Sequence, residues 1–210
     1  MATASSPELS RVARRRAAVV EEALDHAVAL MAEEGVGALS VNEVARRMGI
    51  RGPSLYKYFP SRHAVYDALF RRGLLAQQAT THAAAEAAAP GVDRIRAGAT
   101  AVVRWAVENP ALAQLLHWRP VPGFEPSPET FELSVRDMVL VREVFAQAVR
   151  LGQLDPIAAT DDGIRLYTVL ISGLISQQLA NQPGVPFDEG DFSRLTGSAV
   201  DLFLSAYPAT

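Results

Sequence analysis

One short stretch of the chain combines aromatic hydroxyl groups with positive charges. Tyr56, Lys57 and Tyr58 are consecutive, with Arg51 before them and Arg62 after them. Such side chains donate hydrogen bonds to phosphate oxygens, and arginine also pairs with the edges of bases. The residue types therefore indicate contact with a nucleic acid, provided that the backbone presents them on one exposed face.

The residues before this stretch predict a short helix that ends in a tight turn. Ser40 is a suitable N-cap for a helix over residues 41–48, and Glu43 stands three residues later, where it completes a capping box. Gly49 follows the helix directly, and glycine adopts the positive φ of a helix end without strain.

A second short helix is predicted over residues 53–59. Pro53 suits its first turn, because the missing N–H is not needed there, and Pro60 ends it. Leu55 and Phe59 lie on one face, which leaves the Tyr-Lys-Tyr sequence on or near the other. Two helices joined by such a turn form a helix-turn-helix, a motif that places its second helix in the major groove of DNA.

An αα-hairpin in a helical bundle would use the same caps and the same glycine. The exposed face argues against this alternative, because Arg46 and Arg47 add positive charge close to the Tyr-Lys-Tyr sequence. The arginines at positions 11, 14, 15 and 16 leave two interpretations open. They form either an arm along a DNA backbone or groove, or a solvated basic tail.

Residues 12–70 resemble the DNA-binding domain of the tetracycline-repressor (TetR) family of bacterial transcriptional regulators. Arg51 and Gly52 depart from the family pattern, in which a hydroxyl and then a basic residue are more usual, so the recognition helix is expected to lack its usual cap. His63 stands where an acidic residue is frequent. The matching segments are Leu39-Ser40-Val41, Val44-Ala45, Gly49-Ile50, Leu55-Tyr56-Lys57-Tyr58-Phe59 and Pro60-Ser61-Arg62.

The resemblance and the motif together predict the residues that contact DNA. Side chains of the recognition helix and the N-termini of the neighbouring helices are expected to hold phosphates, while the start of the recognition helix approaches base edges. The predicted DNA-binding residues are Ser40, Val41, Arg51, Gly52, Pro53, Ser54, Tyr56, Lys57, Tyr58, Ser61 and Arg62.

The composition predicts a soluble cytoplasmic protein. The 210 residues include no cysteine, which excludes a disulfide framework and a thiolate metal site. No run of about 18 apolar residues is found, so no membrane-spanning segment is predicted. The N-terminal arginines are followed by acidic residues in place of the apolar core of a signal peptide.

The formal net charge of −3 divides unevenly along the chain. Residues 1–75 hold 11 Lys and Arg against 8 Asp and Glu, a net +3. Residues 76–210 hold 9 against 15, a net −6. The positive part contains the helix-turn-helix, which agrees with a DNA-binding role for that part, although ordinary scatter of charge is the alternative.

Hydrophobic spacing predicts helices along the chain and no strands. The predicted fold class is all-α: a disordered tail over residues 1–9, a three-helix helix-turn-helix domain over residues 10–60, and a larger helical ligand-binding and dimerisation domain over residues 61–210. Residues 61–77 form the linking helix, and a proline-rich stretch over residues 117–126 is read as an ordered loop. The remaining predicted helices are 10–34, 61–87, 92–108, 110–116, 128–151, 156–181 and 189–206.

The larger domain shows no catalytic pattern. The four histidines are far apart and lack the ligand spacing of a metal site, and no glycine-rich phosphate loop is found. No serine or aspartate stands in a nucleophile motif. The sequence therefore predicts neither an enzyme nor a cofactor nor a metal.

The resemblance implies a different role for this domain, which is similar to the C-terminal domain of an actinobacterial-type subclass of the family. In the family these helices enclose a pocket for a small, usually apolar molecule and form a homodimer through the last two long helices, here residues 157–181 and 189–206. The predicted pocket residues, which alternatively just fill the core, are Trp105, Leu112, Leu116, His117, Trp118, Phe131, Met138, Phe145, Tyr167 and Ile171.

Three functions follow from these patterns. The favoured one is a repressor that binds a palindromic operator in double-stranded DNA as a dimer and is released by a small apolar effector. The second is a DNA-binding regulator without a small-molecule pocket. The third is a helical ligand-binding protein or enzyme whose head domain is only structural.

Overall fold

A computed structural model describes residues 10–209 of the chain. The tail predicted over residues 1–9 lies outside the described residues. Within them the chain is helical and contains no strand, which confirms the predicted all-α fold. The α-helices are α1 (Arg11–Glu34), α2 (Val41–Arg47), α3 (Gly52–Leu55), α4 (Arg62–Ala87), α5 (Val92–Glu108), α6 (Pro110–His117), α7 (Pro128–Arg150), α8 (Asp161–Asn181) and α9 (Thr196–Ala206), with short 3₁₀ helices at Val36–Ala38, Pro156–Ala159 and Ser193–Leu195.

The contacts divide the chain into two compact units, one ending at Leu69 and the other beginning at Phe70. Helix α4 begins in the first unit and continues in the second. The sequence places the boundary between the DNA-binding domain and the larger domain after residue 60. That boundary is a functional division and stays a prediction.

The first unit is built on α1, which buries one face at helical spacing. Ala23, Leu24, Ala27 and Leu30 are at most 2% exposed. The start of α4 is fixed to the chain after α1 by Tyr66, whose hydroxyl donates to the carbonyl of Val36 at 2.6 Å. Since a buried hydroxyl must find a partner, this hydrogen bond ties the two segments together.

The turn between α2 and α3 agrees in part with the features predicted from the sequence. Ser40 caps α2, because its Oγ accepts the N–H of Glu43 at 3.4 Å, and Gly49 adopts a φ of 68°. The predicted capping box is wrong in its second half, since the Glu43 carboxylate accepts hydrogen bonds from Arg46 and Arg47. The second helix is also shorter than predicted and ends at Leu55, with turns as far as Tyr58.

The second unit packs its other helices around α5. Ile95, Ala99, Val103 and Ala106 repeat at helical spacing along α5 and are at most 2% exposed. Small residues at two of these positions let neighbouring helices approach closely. Helices α6, α7, α8 and α9 all contact α5.

Two predicted helix starts in this unit are wrong. The helix predicted from residue 156 is a 3₁₀ turn followed by α8, because Thr160 is extended and caps α8 by accepting the N–H of Gly163 at 3.3 Å. The helix predicted from residue 189 begins at Thr196. Gln178 of α8 is the reason, since its Oε1 accepts the N–H of Ser193 at 3.0 Å and holds that segment in a loop.

Gln178 generates a stability prediction. Its side chain is 0% exposed, accepts from the N–H groups of Phe192 and Ser193, and donates to the carbonyl of Gln182. Gln178→Leu would leave these backbone groups without partners. We expect the free energy of unfolding to fall by roughly 2–3 kcal/mol, measured by urea denaturation at fixed protein concentration.

The matched control for this prediction is Gln182→Ala. Gln182 bridges the same loop through two hydrogen bonds to Asp191, both 2.7 Å long, but the contact is exposed. Water replaces exposed partners, so the expected loss is about 1 kcal/mol or less. Equal losses in the two variants would contradict the role assigned to the buried amide.

Candidate nucleic-acid interface and ligand cavity

The recognition segment, residues 52–59, consists of α3 and the turn after it and has one buried face and one exposed face. Leu55 is 0% exposed and Phe59 is 4% exposed, whereas Tyr56 is 44% exposed and Lys57 is also exposed. The two apolar residues hold the segment on the first unit, so the hydroxyl and the ammonium are presented to solvent. This is the arrangement that contact with phosphates requires.

The other predicted DNA-binding residues differ in exposure. Val41 is 4% exposed, because it belongs to the apolar face of α2 with Val44 and Ala45. Its side chain therefore packs in the core, and only its backbone lies at the start of α2. The exposed members are Arg51, Pro53, Ser61 and Arg62, and the half-buried members are Ser40, Gly52, Ser54 and Tyr58.

The two arginines at the end of α2 are held by acidic side chains. Arg46 donates to Glu43 at 2.6 Å, and Arg47 contacts both Glu43 at 3.1 Å and Glu33 at 2.7 Å. Hydrogen bonds from these guanidinium groups lower the pKa of Glu43 to about 2. Within residues 10–209 the side chains of Arg51 and Lys57 form no ion pair, so their positive charge is available to phosphates.

Arg16 of α1 packs against the end of the recognition segment. Its guanidinium carbon lies 5.0 Å from the centre of the Tyr58 ring, and its Nη2 donates to the carbonyl of Lys57 at 3.4 Å. A guanidinium over an aromatic face is attractive and limits the motion of both groups. Arg16 therefore positions Tyr58 and Lys57, a contact that the sequence did not predict.

Gly52 begins α3 beside the side chain of Asn42. A Cβ added at Gly52 would collide with the Oδ1 of Asn42, so the glycine leaves room for that amide. Arg51 makes no side-chain capping bond to α3, in agreement with the missing cap expected from the sequence. Asn42 had no signal of its own in the sequence, because its role depends on the neighbouring turn.

A cavity of about 240 Å³ lies inside the second unit. Its walls come from α4, α5, α7 and α8 and from His117 at the end of α6. Apolar side chains provide one part of the lining: Ile95, Val102, Met138, Leu140, Val141, Val144, Phe145 and Ile171. Polar and charged side chains provide another part: Gln77, Gln78, Thr81, His82, Arg94, His117, Asp137, Tyr167, Thr168 and Ser172.

The cavity contains half of the ten predicted pocket residues. His117, Met138, Phe145, Tyr167 and Ile171 line it, and Trp105, Leu112, Leu116, Trp118 and Phe131 do not. Trp105 and Leu112 are buried in packing elsewhere in the unit, and Leu116 is half-buried. Phe131 is 58% exposed on α7, and Trp118 borders a separate shallow hollow with Leu179 and Ala180.

The sequence did not predict the polar lining that α4 contributes to the cavity. Gln77, Thr81 and Ala85 are four residues apart, so they share one face of the helix. That face lies in an alanine-rich stretch, which predicts a helix with close packing and no binding site. The signal was present in the spacing of two polar residues, but nothing in the sequence says that this face borders a cavity.

Hydrogen bonds cross the cavity between different helices. The Nε2 of His82 lies 2.8 Å from the Oδ1 of Asp137, and the Nε2 atoms of Gln77 and His117 are 3.4 Å apart. The hydroxyl of Tyr167 donates to the carbonyl of Ile95 at 3.4 Å. Burial raises the pKa of Tyr167 and lowers the pKa of His117, which favours the neutral form of each side chain.

No three acidic or histidine side chains in residues 10–209 are grouped as metal ligands would be. Every helix in this range is too short or too polar to cross a bilayer.

Two family models match the chain. Residues 23–69 match the model for bacterial regulatory proteins of the tetR family. Residues 95–198 match the model for the tetracyclin repressor-like C-terminal domain. The first match covers the helix-turn-helix and the second covers most of the walls of the cavity.

Individual relatives agree with these matches. The chain is 30% identical over 133 residues to the HTH-type transcriptional regulator Rv1816 of Mycobacterium tuberculosis, a stretch covering 62% of the chain and 56% of that regulator. The match thus spans little more than half the length of this relative.

Solved structures share the fold. A protein of unknown function from Rhodococcus sp. RHA1 is 24% identical, with a TM-score of 0.75 and coverage of 91% of this chain and 96% of that one. The TetR family transcriptional regulator PfmR from Thermus thermophilus is 22% identical, with a TM-score of 0.65 and coverage of 87% and 97%. At these identities the similarity establishes the fold alone.

The lowered pKa of His117 predicts a dependence of stability on pH. The unfolded chain takes up a proton near a pH of about 6.5, whereas the folded chain resists protonation of the buried ring. Stability should therefore be greatest above that pH and fall as the pH decreases through it. Urea denaturation at several pH values gives the free energy of unfolding of the protein and of His117→Asn. As the pH decreases, this free energy should fall less in the variant. Identical pH dependences would contradict the role assigned to His117.

Proposed function

The chain belongs to the tetR family of bacterial regulatory proteins, and we propose that it binds a DNA operator as a homodimer and is released by a small effector. The observation that carries the proposal is the exposed positive charge of the recognition segment. Lys57 and Arg51 are exposed and form no ion pair within the described residues, while Leu55 and Phe59 are buried beneath them. Repression is the proposed outcome of binding, and a location in the cytoplasm follows from contact with DNA.

The exposed and half-buried side chains of the first unit divide into those that bind phosphates and those that approach bases. Tyr56, Lys57 and Tyr58, with the helix starts near Ser40 and Ser61, bind phosphates and fix the orientation of the head. The residues at the start of α3 approach base edges in the major groove. We propose that base contacts come from Arg51, Gly52, Pro53 and Ser54.

The proposed dimer uses exposed apolar side chains on α8 and α9. On α8, Leu166 is 43% exposed and Val169 is 66% exposed; on α9, Leu202 is 67% exposed. Exposed apolar residues on neighbouring helices favour burial against a second copy. A two-fold dimer would place its two recognition helices roughly 34–36 Å apart, so the operator is expected to be a near-palindrome.

The cavity is the proposed effector site. An effector changes DNA affinity only if it binds more tightly to one of two conformations of the protein. Helix α4 supplies part of the cavity wall and also, through Tyr66, a contact to the chain after α1. We propose that α4 transmits the change, and that the protein acts as a regulator without enzymatic activity.

A DNA titration tests the proposal, using duplexes from the region upstream of the gene at two salt concentrations. Lys57→Ala combined with Tyr56→Phe removes one cation and one hydroxyl donor from the proposed phosphate contacts. Operator binding should weaken at least roughly tenfold, and the slope of log affinity against log salt should fall in magnitude by about two, because the proposed homodimer loses one phosphate contact in each subunit.

The matched control for the DNA experiment is Arg150→Ala. It removes the same charge from an exposed position on α7 in the second unit. We expect its operator affinity to stay close to that of the unmodified protein. Equal losses in both variants, or weak binding to every sequence after selection from random duplexes, would refute the DNA contacts and favour a structural head domain.

Val169→Arg tests the proposed dimer. An unpaired arginine placed between two α8 helices would lose its hydration, so the protein should become a monomer at micromolar concentration and lose operator affinity. Sedimentation velocity measures the first effect. The control is Val135→Arg on α7, where the valine is 48% exposed. This variant should leave the dimer intact. Loss of the dimer only in the control would place the interface on α7.

A further inference from the structure

Arg94 is an unusual residue in the wall of the effector cavity. It lies on α5, is half-buried, and forms no ion pair within residues 10–209. Its Nη1 donates to the Oε1 of Gln147 at 3.2 Å, while its Nε is buried and makes no hydrogen bond among the described residues. A buried guanidinium is normally paired with a carboxylate or phosphate, because removing its hydration is costly.

Thr81 provides a second donor near the same place. Its Oγ1 is buried and has no hydrogen-bond partner within the described residues. Its Cγ2 lies 3.6 Å from the position that a Cβ on Gly98 would take, and Gly98 is one turn after Arg94 on the same face of α5. Arg94 and Thr81 therefore both line the cavity, one from α5 and the other from α4.

Asp137, the carboxylate that lines the cavity, contacts His82 and forms no ion pair with Arg94 within residues 10–209. The Oδ1 of Asp137 is 2.8 Å from the Nε2 of His82 and forms its contact across α4 and α7. Gln77, His117 and Tyr167 are neutral. Among the described residues, the lining thus combines one guanidinium that forms no ion pair with an apolar wall from Val102, Met138, Val141, Val144 and Ile171.

We propose that the effector is a small amphipathic monocarboxylate whose carboxylate is bound by Arg94 and Thr81. The proposal rests on the effector site proposed above and names the chemical class that it takes. Arginine matches the planar geometry of a carboxylate, and the apolar wall accommodates a hydrocarbon or aromatic body. The volume of about 240 Å³ limits the ligand to on the order of ten non-hydrogen atoms.

The test uses pairs of molecules that differ only in the replacement of the carboxylate by a neutral amide. Octanoate and phenylacetate, each with its amide, are titrated into the full chain by calorimetry. The acids should bind at least about tenfold more tightly than the amides. Arg94→Gln should remove this preference, and Thr81→Val should weaken it, while circular dichroism confirms that both variants are folded.

The matched control is Arg96→Gln. Arg96 is two residues further along α5, outside the cavity, and pairs with Asp93 and Asp201 on the surface. This variant should keep the preference for acids. The inference is overturned if acids and amides bind equally, if the preference survives in Arg94→Gln, or if none of the acids binds even at about 10 mM.

The same ligands separate this inference from the proposed function. Acids that bind through Arg94 without changing operator affinity would support the carboxylate site and refute effector release. A neutral compound that releases DNA equally well from the protein and from Arg94→Gln would support effector release and refute the carboxylate site.

Discussion

A recognition helix of four residues cannot hold its own shape. Helices shorter than about 12 residues are marginal in water, because too few hydrogen bonds offset the entropy of the first turn. Here the shape of Gly52–Leu55 depends on its surroundings. Leu55 and Phe59 are buried beneath it, Gly49 sets its direction, and Arg16 covers Tyr58 from α1. The DNA-binding face is therefore a property of the whole first unit, and changes in α1 reach it without touching DNA.

The second unit follows a different rule, because it gives up packing to form a cavity. Unfilled space forfeits dispersion contacts, and each buried polar group without a partner adds a further cost. Polar groups converge on this cavity from α4, α5, α7 and α8. Departures of this kind from an apolar core are typical of functional sites, where stability is given up for binding. The T-shaped packing of Phe145 with Tyr167 and with Phe203, at ring-centre distances of 5.1 and 5.9 Å, supplies compensating contacts beside it.

Features of the fold that depend on neighbouring residues were predictable from the sequence, whereas features that depend on distant contacts were not. The caps at Ser40 and Ser61 and the glycine at position 49 act within three residues, so the helix-turn-helix was predictable. The start of α9 was not, because it depends on Gln178, fourteen or more residues away. Only half of the predicted pocket residues line the cavity, because the helix face that borders a cavity depends on packing between distant parts of the chain. The aromatic Phe131 is one of the predicted lining residues, yet it faces solvent, while the polar face of α4 borders the cavity.

The positions of Arg94 and Thr81 explain how a small ligand could act on a large structure. A ligand of about ten atoms has limited binding energy, and most apolar contacts change little when a helix shifts by a fraction of an ångström. A charged hydrogen bond is more sensitive, since its strength depends steeply on distance and angle. Arg94 is on α5 and Thr81 is on α4, so a carboxylate held by both would oppose any movement of one helix along the other. Coupling free energies between sites are typically about 1–3 kcal/mol, which a single charged hydrogen bond of this kind can supply.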